Sequence, residues 1–353
     1  MNNIYQKISE KKPGGKGLAL ATVTESDGST PQKPGISALF DGHGLLAGTV
    51  GGGLVEAGTT EFAIKCIRSK GSGWLHFHLD NDISDKEDAI CGGRVTLLVD
   101  GNPLKHMPVF QGVREALSKR IPGMLVTIVK GPDAGNVSID RYWLTEKRKP
   151  PMPPEIGSVI IRESENMLKS GSKRKFIKTD IPLPGEDPVV ALLEPVFPQK
   201  KLIIAGAGHI GKALSHLGRL LDFEVTVIDD RKEYACKINL PDADNIIVSD
   251  IGSAMLEIEK TSDTFIVIVT RGHYDDAEAL KPCIGSGAAY VGMIGSKVKV
   301  ARTKAEFISK RWASEDQWGR IYSPIGLDIK SKSVEEIAVS IAAQLVLISN
   351  DGN

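Results

Sequence analysis

No uninterrupted apolar run in this 353-residue chain reaches the roughly 18 residues that a membrane span requires. The opening dozen residues, Met1 to Lys12, are polar and lack the apolar stretch of a secretory signal. Neither sign of charge is in excess. Lys and Arg number 44, as do Asp and Glu, which removes the broad positive field that nucleic acid or an anionic membrane surface needs. Cysteine is scarce: Cys66, Cys91, Cys236 and Cys283 stand singly, without CxxC spacing, the density of a disulfide framework or the clustering of an iron–sulfur protein. Together these absences predict a cytoplasmic globular protein with reduced thiols and neither a nucleic-acid nor a membrane partner. The length exceeds one ordinary hydrophobic core, so two domains are expected.

What the chain does carry is two glycine-rich cradles, Gly51-Gly52-Gly53 and Gly206-Ala207-Gly208-His209-Ile210-Gly211, each placed between a β-like run and a helix-like one. A helix start presents unpaired amides and the positive end of the macrodipole, and glycine lets an anion come close. Two phosphate-type ligands, or one ligand shared between two domains, follow as the expectation.

The local pattern predicts strands at Leu18 to Val23, Ile36 to Phe40 and Leu45 to Val50, the last two joined by Asp41-Gly42-His43-Gly44. A helix over Leu54 to Arg68 follows the triple glycine, then strands at Trp74 to His78 and Val95 to Val99. Between these strands lie an acidic stretch, Asp80 to Asp88, and Cys91-Gly92-Gly93 in a turn. Further on, Val113 to Arg120 reads as a helix, and Met124 to Val129 and Ser158 to Arg162 as strands. The prolines of Pro150 to Pro154 and Pro182 to Pro198 read as loops and an interdomain linker. From Lys201, apolar strands alternate with helices: strands at Lys201 to Ala205, Glu224 to Ile228, Asn245 to Val248, Phe265 to Thr270 and Ala288 to Met293, with a last helix after the capping box Ser333-Val334-Glu335-Glu336. That alternation is the mark of a parallel, doubly wound sheet. The fold class read from the sequence is therefore α/β: an N-terminal α+β domain over residues 1–198, ending in the proline-rich linker, and a Rossmann-like doubly wound parallel sheet over 199–353.

Gly206-x-Gly208-x-x-Gly211 follows a strand and opens a helix, and the next strand ends at Asp229-Asp230. There an acidic side chain accepts hydrogen bonds from an adenosine ribose. NAD is preferred over NADP on this reading, because Asp229 would repel a 2′-phosphate, an effect that Arg231 tempers. For Gly51 to Gly53 two readings stand open, a ligand cradle and a plain tight turn. Glu56, one turn into the helix, either reaches the same ligand or complements the macrodipole. Cys91 is either an accessible thiolate favoured by Arg94 or a small packed residue. Arg271-Gly272-His273-Tyr274-Asp275-Asp276 lies at the carboxyl end of a strand, where His273 and Asp275 form an acid/base pair, bind ligand polar groups or simply decorate a loop. Ile294-Gly295-Ser296-Lys297 repeats the design with a serine N-cap and a phosphate-suited lysine. His76 and His78 share a strand face but lack a third metal ligand.

As a set, these blocks resemble the XdhC/CoxI family of accessory factors for molybdenum hydroxylases such as xanthine dehydrogenase. The resemblance rests on Gly28-Ser29-Thr30-Pro31 with Pro34-Gly35, Gly48-Thr49-Val50-Gly51-Gly52-Gly53 with Glu56, and Cys91-Gly92-Gly93. In the second half it rests on Gly206 to Gly211, Asp229-Asp230-Arg231, Thr270 to His273, Gly292 to Ser296, and Pro324-Ile325-Gly326-Leu327-Asp328 before Glu335 to Ala338. Gln32 and Leu54 depart from the family pattern, which often has a basic residue and a Cys or His at these places. The resemblance implies a homodimer of an N-terminal domain joined to a Rossmann domain. It implies molybdenum cofactor (molybdopterin) as cargo, held during sulfuration by a cysteine desulfurase and inserted into a xanthine dehydrogenase, in purine catabolism. On that expectation Gly51 to Gly53 take the pterin phosphate and Cys91 lies near the molybdenum. The chain is then a maturation factor rather than a catalyst. The competing expectation is an NAD(P)-dependent oxidoreductase that uses the Rossmann half, with His273 as proton donor.

Overall fold

The computed structural model describes residues 4–11, 17–30, 32–79, 93–131, 136–169, 176–183 and 185–351. The chain divides into two compact units between Pro198 and Gln199.

The N-terminal unit is built on two antiparallel sheets. After helix α1 (Ile4–Ser9), strands β1 (Ala19–Gly28), β2 (Ser37–Asp41) and β3 (Gly44–Gly48) run as a meander. Helix α2 (Gly53–Ser69) and strands β4 (Ser72–His78) and β5 (Gly93–Asp100) follow, and the first sheet has the order β3-β2-β1-β5-β4. Period-two alternation along β1 sends Ala19, Ala21 and Val23 into one cluster with Val55, Ala63 and Cys66 of α2. It sends Leu20 into another, with α1 and helix α3 (Met107–Ser118). Burial raises the Cys66 thiol to about 11, so it stays protonated and inert.

Strands β6 (Gly123–Lys130) and β7 (Ser138–Leu144), helix α4 (Pro154–Lys169), and strands β8 (Ile177–Leu183) and β9 (Glu186–Val196) complete the unit, and the second sheet has the order β7-β6-β9-β8. Two expectations are corrected here. Ser158 to Arg162 is not a strand but the middle of α4: Ile156, Ile160 and Ser164 are buried at four-residue spacing, and Pro154 occupies the first helical position, where its missing amide costs nothing. Nor are the prolines from Pro182 on merely linker. Pro182 and Pro188 sit at the register shift between β8 and β9, where a bulge excuses the missing amide, and Pro195 pairs with β6 beyond the last β8 partner, Leu193.

Between the two sheets lies a cluster of ionisable groups. Arg141 of β7 pairs with Asp100 of β5, both side chains almost wholly buried. Beside Arg141, Tyr5 of α1 donates to the partly buried Glu194 of β9, and Thr22, Thr127 and these side chains line a small polar cavity with room for about one water. His106, after β5, also faces the Asp100–Arg141 pair, and burial lowers its pKa. Burial pushes the Glu194 carboxyl up to about 7, against the lowering effects of the Tyr5 hydroxyl and the Arg141 charge. The folded state thus keeps a proton that the unfolded chain releases near pH 4.5, so the stability this group contributes is complete below that pH and is lost as pH rises through about 7. Allowing for partial exposure, the loss is about 2 kcal/mol. Urea unfolding at pH 5 and pH 8 should show the native protein losing about that much more than Glu194→Gln, whose amide keeps the Tyr5 bond without a charge.

In the second unit, β10 (Lys201–Ala205), α5 (His209–Leu220), β11 (Glu224–Asp229), β12 (Asn245–Val248), α6 (Ile251–Glu257), β13 (Thr264–Ile268), α7 (His273–Leu280), β14 (Tyr290–Met293) and α8 (Lys297–Ser309) alternate as expected. The short α9 (Glu315–Trp318) and the long α10 (Val334–Asp351) follow. All strand pairs are parallel, in the order β12-β11-β10-β13-β14. Ile203, Ile266 and Ile268 face one cluster with α6, α7 and Phe307 of α8, whereas Leu202, Ile204 and Val267 face the other with α5 and α10. Both faces are covered, which is why these strands read as continuous apolar runs. The strand order reverses between β10 and β13, and in such sheets ligands bind beyond the carboxyl ends at that point.

Candidate functional site

Antiparallel pairing gathers the N-terminal motifs at one end of the first sheet. β1 ends where β5 begins, with Gly28 opposite Gly93, and β3 ends opposite the start of β2, with Gly48 opposite Ala38. Beyond Gly48, Gly51, Gly52 and Gly53 take φ of 128°, 75° and 53°, three successive positive-φ positions that favour glycine. Gly52 is the N-cap of α2 and offers no side chain to its first amides. No atom lies within 4 Å of where a Cβ would stand on Gly52 or Gly53. The segment is therefore a tight turn whose outer side is also open, and the first amides of α2 have no intrahelical acceptor. Thr49 holds the turn together: its hydroxyl accepts the Gly51 amide at 3.1 Å and donates to Glu56 Oε2 at 3.3 Å. Glu56 thus stands beside the cradle, in the first helical turn.

Cys91 and Gly92 lie outside the described residues. Gly93 has a packing role: a Cβ there would sit 2.6 Å from the Asp27 carbonyl oxygen and 2.8 Å from that of Ser29, so only glycine lets β5 start against the end of β1. His76 Nδ1 lies 3.2 Å from Thr96 Oγ1. Among the described residues no group of three His, Cys, Asp or Glu side chains is placed to hold a metal ion.

In the second unit the three glycines of the fingerprint divide the work. Gly206 has φ of 115°, and a Cβ there would meet the Val269 carbonyl oxygen at 2.5 Å, so the turn presses against the chain leaving β13. Gly208, the N-cap of α5, has open space where its Cβ would be, so a phosphate can approach the helix start. Gly211 is buried, and its Cβ would fall 1.9 Å from the Gly206 carbonyl oxygen. His209 is exposed and Ile210 half-buried at the start of α5. Asn239 steadies the loop, donating to the Ala207 carbonyl oxygen at 3.3 Å.

Asp229, at the end of β11, does not face outward as the ribose reading supposed. It is 2% exposed, and its carboxylate accepts the Ala207 amide at 2.8 Å, the Arg231 amide at 3.0 Å, and Arg231 Nε and Nη2 at 2.8 Å each. Burial alone would raise its pKa, but Arg231 and the two amides outweigh burial and hold it at about 2. Asp230, Arg271 and Asp275 form a surface chain: Arg271 Nη2 reaches Asp230 at 2.8 Å and Nε reaches Asp275 at 3.4 Å. Asp275 is therefore an ion-pair partner of Arg271 rather than a free base. His273 opens α7, and its side chain lies outside the described atoms.

An ion pair at this end, Asp276 with Lys299, is not visible in the sequence, although Asp276 belongs to the motif named there. Asp276, fully buried, accepts from the Thr270 hydroxyl and pairs with Lys299, and burial raises its pKa despite both. Lys297, the lysine that stood out in the motif, is exposed, because two positions along a helix turn a side chain about 200°. Ser296 is spent locally, its Oγ accepting the Lys299 amide at 3.3 Å as the N-cap of α8. No periodicity signals the Asp276–Lys299 pair, whose members come from different helices.

Comparison with known proteins agrees with this architecture. Residues 202–345 match the family model described as the XdhC Rossmann domain, and residues 13–78 match that of the XdhC and CoxI family. A Bacillus subtilis protein whose name makes it a probable component of xanthine dehydrogenase is 24% identical, over 98% of this chain and 97% of its own length. An Escherichia coli protein named YqeB is 19% identical over 99% of this chain but 47% of its own, so the chain spans about half the length of that relative. A crystal structure from Bacillus halodurans, named as a xanthine dehydrogenase, superposes with a TM-score of 0.76 at 23% identity, covering 99% of this chain and 95% of that one, and so shares the fold. By both halves of its sequence and by its fold, the chain belongs to the XdhC and CoxI family.

Proposed function

We propose that the chain is an accessory factor to a xanthine dehydrogenase-type molybdenum hydroxylase. It takes molybdenum cofactor as cargo, supports its sulfuration by a cysteine desulfurase and passes it to the client enzyme as a homodimer. The observation that carries this reading is the run of three positive-φ glycines at the start of α2, open above Gly52 and Gly53. Amides at a helix start are suited to a terminal phosphate such as the pterin carries, and Glu56 limits how much negative charge the turn retains. A carrier has to release its cargo, which favours many modest contacts over one strong charge. Cys91, two residues before β5, is assigned to the metal end of the cargo. The Bacillus subtilis relative, similar over almost the full length of both chains, is named for xanthine dehydrogenase and supports the choice of client. The Rossmann half is assigned a dinucleotide, its pyrophosphate over Gly208.

Protein isolated anaerobically from a molybdenum-sufficient host should contain molybdenum and oxidised pterin in a fixed ratio to chain. Gly51→Val places a β-branched residue at φ 128°, and the recovered cofactor should fall by about tenfold or more, as loss of amide contacts to an anion predicts. Equal recovery would overturn the cradle assignment. Full maturation of the client by Cys91→Ala would remove the thiol's role.

A further inference from the structure

Arg231 occupies, on Asp229, the positions that a ribose would need. A carboxylate has two oxygens and about four lone-pair positions. On Asp229 the Ala207 and Arg231 amides take one on each oxygen, and the Arg231 side chain takes the other two, Nε on Oδ1 and Nη2 on Oδ2, both at 2.8 Å. The guanidinium thus presents two parallel donors to the two oxygens, which is the arrangement a vicinal diol presents when it donates both hydroxyls to one carboxylate. The fork is held from the other side as well, since its carbon lies 3.9 Å from the centroid of the Tyr234 ring. The carboxylate it covers is otherwise well placed: it is anchored on the amide of Ala207, between the first two glycines of the fingerprint.

We infer that Arg231 is a built-in competitor for the ribose of an adenine dinucleotide, so that this Rossmann site is closed at its acid until the guanidinium is displaced. The inference rests on the dinucleotide reading of this half. A ligand entering with its pyrophosphate over Gly208 finds the glycine turn open but the acid taken. It binds weakly, through phosphate and base alone, or it displaces the Arg231 fork and gives up one charge-assisted pair to make another. Apart from its contacts with the Tyr234 ring and with Asp230, the guanidinium has to give up only its two bonds to Asp229. The amide bonds from Ala207 and Arg231 keep the carboxylate in place, so displacement swaps one pair of donors for another without moving the loop. Arg231 is a specificity-determining residue in this scheme and touches the ligand only as its rival.

Calorimetric titration of the full-length protein with NAD+ and with ADP-ribose tests the scheme. Arg231→Met keeps an unbranched apolar stem but removes the guanidinium and with it both donors, and should tighten both ligands by about tenfold, the net worth of roughly one hydrogen bond. Arg231→Lys can satisfy only one of the two oxygens and should fall between. In the background of Arg231→Met, Asp229→Asn should cancel the gain, which separates release of the acid from a general loosening of the loop. Unchanged or weaker binding by Arg231→Met, in a protein that binds NAD+ when unaltered and melts normally, overturns the competitor while leaving the dinucleotide site standing. If neither ligand binds the native protein, Arg231→Met or Arg231→Lys, the dinucleotide reading itself fails, and the competitor fails with it.

Discussion

Arg141→Met should destabilise the N-terminal unit by about 3–5 kcal/mol, the usual cost of stranding one member of a buried ion pair. The side chains of Arg141 and Asp100 are 3% and 4% exposed, so bulk water and salt cannot take over when the partner is removed. Burial would by itself raise the Asp100 pKa; the Arg141 charge and hydrogen bond, with the Asn102 amide, instead hold it below the ordinary value. Without the guanidinium, Asp100 must either take up a proton or stay charged in a closed space, and the Glu194 carboxyl also loses a positive charge that lowers its pKa. Chemical denaturation at pH 7 should therefore show the loss concentrated in residues 2–198. The double variant Asp100→Asn with Arg141→Met should recover much of it, since it removes the charge rather than isolating it. A change below about 1 kcal/mol for Arg141→Met would mean that the pair does not bear on stability in the way its burial implies.

Gly211→Ala should be nearly as costly and should also abolish the proposed dinucleotide binding. The added carbon would stand 1.9 Å from the Gly206 carbonyl oxygen, an obstacle made of backbone, so α5 has to lift from β10 or the glycine turn has to open. Overpacking of this kind costs about 3 kcal/mol, and either relaxation spoils the helix-start geometry that a pyrophosphate needs. Gly208→Ala is the contrasting control: the space above Gly208 is open, so stability should hold while ligand approach suffers. Thermal unfolding of the two variants beside NAD+ titration separates packing from access. Equal melting of Gly211→Ala and the native protein would refute the packing argument.

The second unit was almost wholly legible in advance. Its strands are buried on both faces and therefore read as apolar runs, and all except β11 are followed within a few residues by the glycine or cap that starts the next helix. The middle of the first unit was not. Ser158-Val159-Ile160-Ile161-Arg162 has the β-branched content of a strand, and only the four-residue spacing of Ile156, Ile160 and Ser164 reveals α4. The prolines after Ile181 look like linker because a bulge, which tolerates them, is invisible without the partner strand. α1 leaves no signal in the sequence because six residues carry too little periodicity.

The sequence by itself determined the two glycine turns, the parallel architecture of residues 199–353 and the family, because backbone conformation and burial pattern are written in neighbouring residues. Only the tertiary structure decided what the charged side chains do. Asp100 and Arg141 are 41 positions apart and meet through the packing of two sheets. Asp276 finds Lys299, not the more conspicuous Lys297, because of the rotation of α8. Asp229 and Arg231 are near neighbours in sequence, yet whether the acid faces a ligand or its own arginine depends on the Ala207 amide and the Tyr234 ring brought around them. A charged group's role is set by whatever shares its small volume, and that volume exists only once the elements have packed.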